Sequence, residues 1–310
     1  MIIGDVKNTV RVLMSRLHFP CEAIEVFESS LEQIFKDEAA RETLIGLMAQ
    51  YDETEKCDYK QMLEDMKKLG QKFAIHEYTS AMLLFLCLAE KLRLRYAERG
   101  IDEAVFYQSM ADLRYKLEEC RLVKGVVGTF VAEWFTLFFN LTCFSIGRLE
   151  FEISALPMDC KVDGLFLPAG SKALSVHIPR TGERLTHSLV LDSYRQAAAF
   201  FKDEFQGVPL IFMCSSWLLD PWNMTVLAPD SNLAAFYKDF NIVASGQADD
   251  YNDVWRLFDC AYEGDPDKLP QNTSLRRAYV KRMKKGEPLG WGCGVFLYKE
   301  KASTSGEGER

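Results

Sequence analysis

The stretch LSVHIPRTGERLTHS, residues 174–188, holds the side chains best suited to chemistry. It begins as an alternating apolar run and stops at Pro179. Arg180 and Arg184 then flank Thr181 and Gly182, and Thr186 stands where a new apolar periodicity starts. Two guanidinium groups, a glycine that permits close backbone approach and a threonine able to cap a helix suit an anion such as a phosphate. The same residues also describe a surface turn between a strand and a helix. His177 lies on the polar side of the run, opposite Val176 and Ile178, and histidine is the residue type that exchanges protons near neutral pH. It reads as a proton acceptor or as a structural histidine bonded to a neighbouring strand.

Three other stretches carry polar groups in a pattern. In IGRLEFEIS, Leu149, Phe151 and Ile153 fall on one face and Arg148, Glu150 and Glu152 on the other. Such a row can hold an ammonium group, form a cross-strand ion-pair ladder, or bury an Arg–Glu pair between two halves of the molecule. Glu152 is read as structural; Arg148 and Glu150 stay open. SSWLLDPWN follows an apolar strand, PLIFM, so Ser215, Ser216 and Trp217 can border a cleft, with the indole as a wall carrying one donor. Asp220–Pro221 starts a turn. In SNLAAFYKDFNI, Ser231 or Asn232 is a helix cap. The 4 histidines lie out of helical or strand reach of one another, so no metal site is expected. There is no GxSxG elbow, Walker loop or dinucleotide fingerprint.

The elements that must position these groups change character near Phe144. Residues 5 to about 142 follow helical spacing: Ile24, Phe27, Leu31 and Ile34 form one stripe, SAMLLFLCLAEKLRLRYAERG ends at Gly100, and Asp102 caps the next helix. GTFVAEWFTLFFNL is apolar on too many faces for a surface helix and is expected as a buried helix between the halves. Afterwards residues 146–154, 161–167 and 173–179 read as three strands of an antiparallel meander, followed by a helix over 187–204. Strand VPLIFMCSSW, helix SNLAAFYKDF, strand NIVASG, helical DDYNDVWRLFDCAY, helix NTSLRRAYVKRMKKG and strand GWGCGVFLYK complete the order. The fold class is α+β: an N-terminal helical bundle, residues 1–143, then a mixed β-sheet flanked by helices, residues 144–299, then a polar tail, 300–310, expected to be disordered.

Composition narrows the function classes. A chain of 310 residues with 48% hydrophobic and 26% charged residues has the balance of a globular protein with a large core. A net charge of −8 with no basic stripe argues against nucleic acid. The 9 cysteines are scattered without a CxxC pair, which fits reduced thiols and a cytoplasmic location. The N-terminus is charged too early for a signal peptide, and Glu133 and Asn140 interrupt the most apolar stretch, so no membrane span is expected.

The stretches YAERGIDEAVFYQSMADLRYKL, GVVGTFVAEWF, FSIGRLEFE, VHIPRTGERLT, SSWLLDPWN, SNLAAFYKDFNI and TSLRRAYVKRMKKGEPLGWGCGVF, over roughly residues 95–298, resemble a bacterial family of acyltransferase-domain proteins. Those join a helical N-terminal domain to a GNAT-like C-terminal domain. The resemblance implies transfer of an acyl group from acetyl-CoA or another acyl-CoA to a small-molecule or peptide amine. It implies a coenzyme loop at Arg180, Thr181, Gly182, Arg184 and Thr186, a base at His177, an acceptor side at Glu150 and Arg148, and cleft residues at Ser216, Trp217 and Asn232. Tyr237 would be the acid for the leaving thiolate. Two departures stand out: the superfamily's spaced paired glycines are reduced to Gly182, and Tyr237 follows Asn232 by five residues where the superfamily has seven. The other reading of Tyr237 is core packing beside Phe236 and Phe240. Two further readings follow: a non-catalytic module with a degraded coenzyme loop, and a structural partner protein whose helical half makes the interface.

Overall fold

A computed structural model describes residues 3–53, 57–248 and 250–299, and the tail expected over 300–310 lies outside them. Within the described residues there are eleven α-helices and eight strands. The chain forms two compact units. One comprises the chain up to Ser145, Pro179–Glu183 and Asp250–Glu287; the other comprises Ile146–Ile178, Arg184–Asp249 and the segment beginning at Pro288.

The first unit is built on six helices: α1 (Ile3–Arg16), α2 (Cys21–Lys36), α3 (Glu38–Glu53), α4 (Tyr59–Gln71), α5 (Glu77–Glu98) and α6 (Glu103–Lys124). α5 is the central one. Residues 82–89, MLLFLCLA, are buried without a break, so this helix has no solvent face along two turns. Asp102 caps α6 by accepting from the Ala104 N–H at 2.8 Å, and Gly125 ends it at φ +67°. The apolar run after α6 departs from the expected single buried helix. It folds as a 3-10 turn, Ala132–Trp134, then a five-residue α7 (Phe135–Phe139). Its rings still enter the core: Phe85 lies 5.3 Å from Phe135 and 4.9 Å from Phe139, centroid to centroid. β1 (Cys143–Ile146) follows.

The second unit carries β2 (Leu149–Ala155), β3 (Cys160–Val162), β4 (Leu165–Leu167), β5 (Lys172–His177), α8 (His187–Phe200), β6 (Ile211–Ser216), α9 (Asn232–Lys238), β7 (Asn241–Gln247) and, after the intervening α10 (Trp255–Phe258) and α11 (Ser274–Lys284), β8 (Gly290–Leu297). The sheet order is β1-β2-β5-β6-β8-β7. β2 pairs antiparallel with β5, β5 parallel with β6, and β6 antiparallel with β8, so the sheet is mixed as expected. The three-strand meander is not formed. Asp163 and Gly164, at φ +51° and +83°, turn CKVDGLFL back on itself, and β3 and β4 make a separate two-stranded sheet. An Asp-Gly pair accepts these positive φ values, which suit a two-residue hairpin turn. β5 also stops at His177, short of the expected 179. α8 ends at Phe200, short of 204, and DDYNDVWRLFDCAY keeps only the four residues of α10 in α-helix.

One sheet face stacks Phe151, Phe212 and Phe296 against Tyr194 of α8, with ring centroids 5.0–6.4 Å apart. The other face packs Leu156, Val162, Leu167, Ala173, Ile211, Met213, Cys293 and Val295 into a second core. The glycines of GWGCG answer to packing. A β-carbon on Gly292 would come within 2.0 Å of the Leu219 carbonyl oxygen, and one on Gly290 within 2.2 Å of the Asp220 carboxylate.

Candidate active site

His177 is the last residue of β5. The β2–β5 register sets Glu150 directly across from His177 and Glu152 across from Ser175. Directly opposed residues of an antiparallel pair share a face, so Glu150, Glu152, Ser175 and His177 form one polar group beside the second core. Within it His177 Nε2 lies 3.0 Å from Glu152 Oε2, with side-chain exposures of 28% and 23%. Glu150 is 2% exposed and Arg148 6% exposed. Arg148 is set by its backbone, whose N–H donates to Ser193 Oγ at 2.7 Å, and Gly147 turns at φ +63° just before it. On the far side of β5 the ladder to β6 covers only Leu174–Phe212 and Ser175–Met213, although β5 runs on to His177 and β6 to Ser216. The two strands thus part at the end that carries the polar group.

The loop after β5 is divided between the units. Arg180, Thr181 and Gly182 belong to the first, where Arg180 Nε lies 3.1 Å from Asp259 Oδ1 and Asp259 Oδ2 holds Arg276 at 2.6 Å. The anion that Arg180 meets here is a carboxylate of its own chain. Thr181 Oγ1 accepts from the Glu183 N–H at 3.1 Å, and Gly182 has φ +82° with nothing within 4 Å of its missing β-carbon. In the second unit Arg184 is exposed and Thr186 occupies the cap position of α8. The expected cap bond is absent: the Thr186 hydroxyl lies 3.2 Å from Ser188 Oγ, and no side chain caps α8.

SSWLLDPWN is knitted by its own side chains. Ser216 Oγ accepts from the Leu218 N–H at 3.2 Å, Asp220 accepts from the Trp222 N–H at 3.1 Å, and buried Asn223 donates to the Trp217 and Leu218 carbonyls at 2.8 and 3.2 Å. Ser215 is exposed, whereas Ser216 and Trp217 are half-buried. Ser231, not Asn232, caps α9, accepting from the Ala234 N–H at 3.2 Å; Asn232 is the first, exposed residue of the helix. Tyr237 is half-buried, and burial, then the nearby Asp220 carboxylate, pushes its hydroxyl above the ordinary tyrosine range. It therefore stays protonated, as a donor must.

Sequence reasoning missed two pairings. Glu152 meets the imidazole only through the register with β5, a cross-strand pairing that fits the structural reading of this residue. His187 Nε2 lies 2.8 Å from Asp239 Oδ1, joining the start of α8 to the end of α9; burial raises the Asp239 carboxyl above the usual range and His187 partly offsets it. These partners stand 25 and 52 residues apart, beyond any local pattern. No group of three or more metal-ligating side chains occurs among the described residues, and no described helix is long and apolar enough to cross a membrane.

Two family models match the chain: the N-acyltransferase N-terminal domain over residues 8–141 and the GNAT-like C-terminal domain over residues 143–296. No curated protein matches the sequence. Among solved structures, an acyltransferase in complex with decanoyl-CoA and teicoplanin is similar at TM-score 0.71, with 21% identity over 94% of this chain and 88% of the other. A mutant acyltransferase in complex with octanoyl-CoA is similar at TM-score 0.72, with the same identity and coverage. At that identity the likeness is one of fold. The chain is a two-domain protein of the N-acyltransferase type, in which an N-acyltransferase N-terminal domain precedes a GNAT-like C-terminal domain.

Proposed function

We propose that the protein transfers an acyl group from an acyl-CoA thioester to the amine of a small molecule or peptide, by direct attack of the amine. The observation that carries this reading is the polar group at the end of β5, where His177 stands beside two carboxylates and β5 and β6 stop pairing. Three needs of the reaction find a residue. His177 takes the proton of the attacking amine. Glu150, across from His177, gives the acceptor ammonium a counter-charge before it is deprotonated, with Arg148 on the same side. Tyr237 protonates the departing thiolate. Arg184 and the backbone N–H groups opening α8, a helix of 14 residues, face the coenzyme's phosphates in this reading. Arg180, engaged with Asp259, contributes less. Ser216, Trp217 and Asn232 are assigned to the cleft wall. The solved relatives' complexes with decanoyl-CoA, octanoyl-CoA and teicoplanin support the choice of acyl donor and of a small-molecule acceptor.

The test is release of free coenzyme thiol from acetyl-CoA and decanoyl-CoA in the presence of a panel of primary amines. Amine-dependent release that falls on the order of 10²-fold or more in His177→Gln, with the melting temperature unchanged, supports the assignment. Equal rates in the two proteins overturn it. A second reading, a module that binds acyl-CoA without turning it over, draws on the engaged Arg180 and the single loop glycine. Binding without thiol release would favour it.

A further inference from the structure

We infer that Glu152 is the positioning residue of the proposed transfer, fixing the imidazole of His177 and stabilising the imidazolium formed as the amine gives up its proton. The inference rests on His177 serving as the base. Glu152 and His177 come from different strands, and their contact depends on the β2–β5 register: Glu150 takes the place directly across from His177, and Glu152 reaches it on the diagonal. Diagonal neighbours on one face lie within reach of long side chains. The 3.0 Å separation of Oε2 and Nε2 is that of a hydrogen bond. Both side chains are about three-quarters withdrawn from solvent, so the attraction escapes much of the screening that weakens surface pairs. The other titratable groups brought to this face by β2 are Glu150 and, just before the strand, Arg148.

The chemistry follows from which ring nitrogen the carboxylate meets. A carboxylate accepts, so the neutral ring carries its proton on Nε2 and its lone pair on Nδ1, which becomes the proton-accepting atom. In the transfer, the amine lone pair forms the new C–N bond and the carbonyl electron pair moves to oxygen. The amine proton passes to Nδ1. Re-formation of C=O breaks the C–S bond, and the thiolate takes a proton, leaving an amide and a free thiol with no net oxidation. Positive charge appears on a ring already held against a carboxylate. That contact is stronger at the transition state than before it, which is what acceleration requires.

Two measurements test this. In ¹⁵N spectra of histidine-labelled protein, the neutral His177 ring should be the Nε2–H tautomer; the Nδ1–H tautomer overturns the inference without any appeal to activity. In kinetics, Glu152→Ala should lower kcat by about tenfold or more with little change in KM for acyl-CoA. Glu152→Asp should restore part of the rate. If His177→Gln removes transfer while Glu152→Ala keeps the rate and the tautomer, this inference fails and the functional reading stands. If His177→Gln itself transfers normally, the functional reading fails with it.

Discussion

Arg180 and Arg184 look alike in PRTGER, yet the fold gives them different work. Arg180 is paired with Asp259, whereas Arg184 is exposed. Replacing Arg184 with alanine should weaken acyl-CoA binding by about 0.5–1 kcal/mol, roughly two- to fivefold in Kd, and less at high salt because a solvated contact is screened. Arg180→Ala should change binding less than that; calorimetric titration of both variants decides the order. Glu119 gives a residue-scale prediction on stability. It is 7% exposed beside Lys116 at 3.1 Å, and burial, the largest influence, raises its carboxyl above the ordinary 4.5. The folded protein therefore holds this proton more tightly than the unfolded chain, and stability from this group falls as pH climbs from about 4.5 through the raised value. Glu119→Gln removes that slope, so the variant should gain on the parent in melting temperature as pH rises through this window; a constant difference would contradict it. At this scale the position of His177 was legible, because a polar residue ending an apolar alternating run is visible in the sequence and β5 ends there. Alternation also gives the face of Glu152 but not its partner, which depends on the β2–β5 register.

Among the elements, the same limit explains the hairpin. CKVDGLFL carries apolar residues at strand spacing, but Asp163–Gly164 sits inside the run, and its turn preference outweighs the continuity of the strand. With β3 and β4 removed from the main sheet, β2 pairs directly with β5, and that pairing makes the polar group around His177. The run through α7 went the other way: its apolar content signalled burial correctly but could not show that the helix breaks at Ala132–Trp134. The glycines of β8 supply a test of packing. Gly292→Ala puts a β-carbon against the Leu219 carbonyl and should cost about 3 kcal/mol. Gly182→Ala meets nothing and bears only its positive φ, so it should cost about 1–2 kcal/mol. Denaturant midpoints that rank the two in the opposite order would show that the β8 contact is not rigid.

Over the whole molecule, the sequence divides near Phe144, where helical spacing gives way to alternation, and the two family matches meet there as well. The compact units follow a different line, because Asp250–Glu287 is grouped with the helices. Trp255 packs edge-on against Phe130 at 5.0 Å, and Phe258, Tyr279, Val280 and Met283 are buried. No local pattern announces contacts between segments more than a hundred residues apart. A fragment ending at residue 142 would expose the surface that these side chains cover. It should melt without cooperativity or aggregate, and a sharp, reversible thermal transition would contradict that. Titration calorimetry of the purified protein with acetyl-, octanoyl- and decanoyl-CoA decides whether the chain uses acyl-CoA as proposed. Saturable heat with a one-to-one stoichiometry is expected for at least one thioester, weakened in Arg184→Ala and retained in His177→Gln. Absence of binding to all three would contradict it.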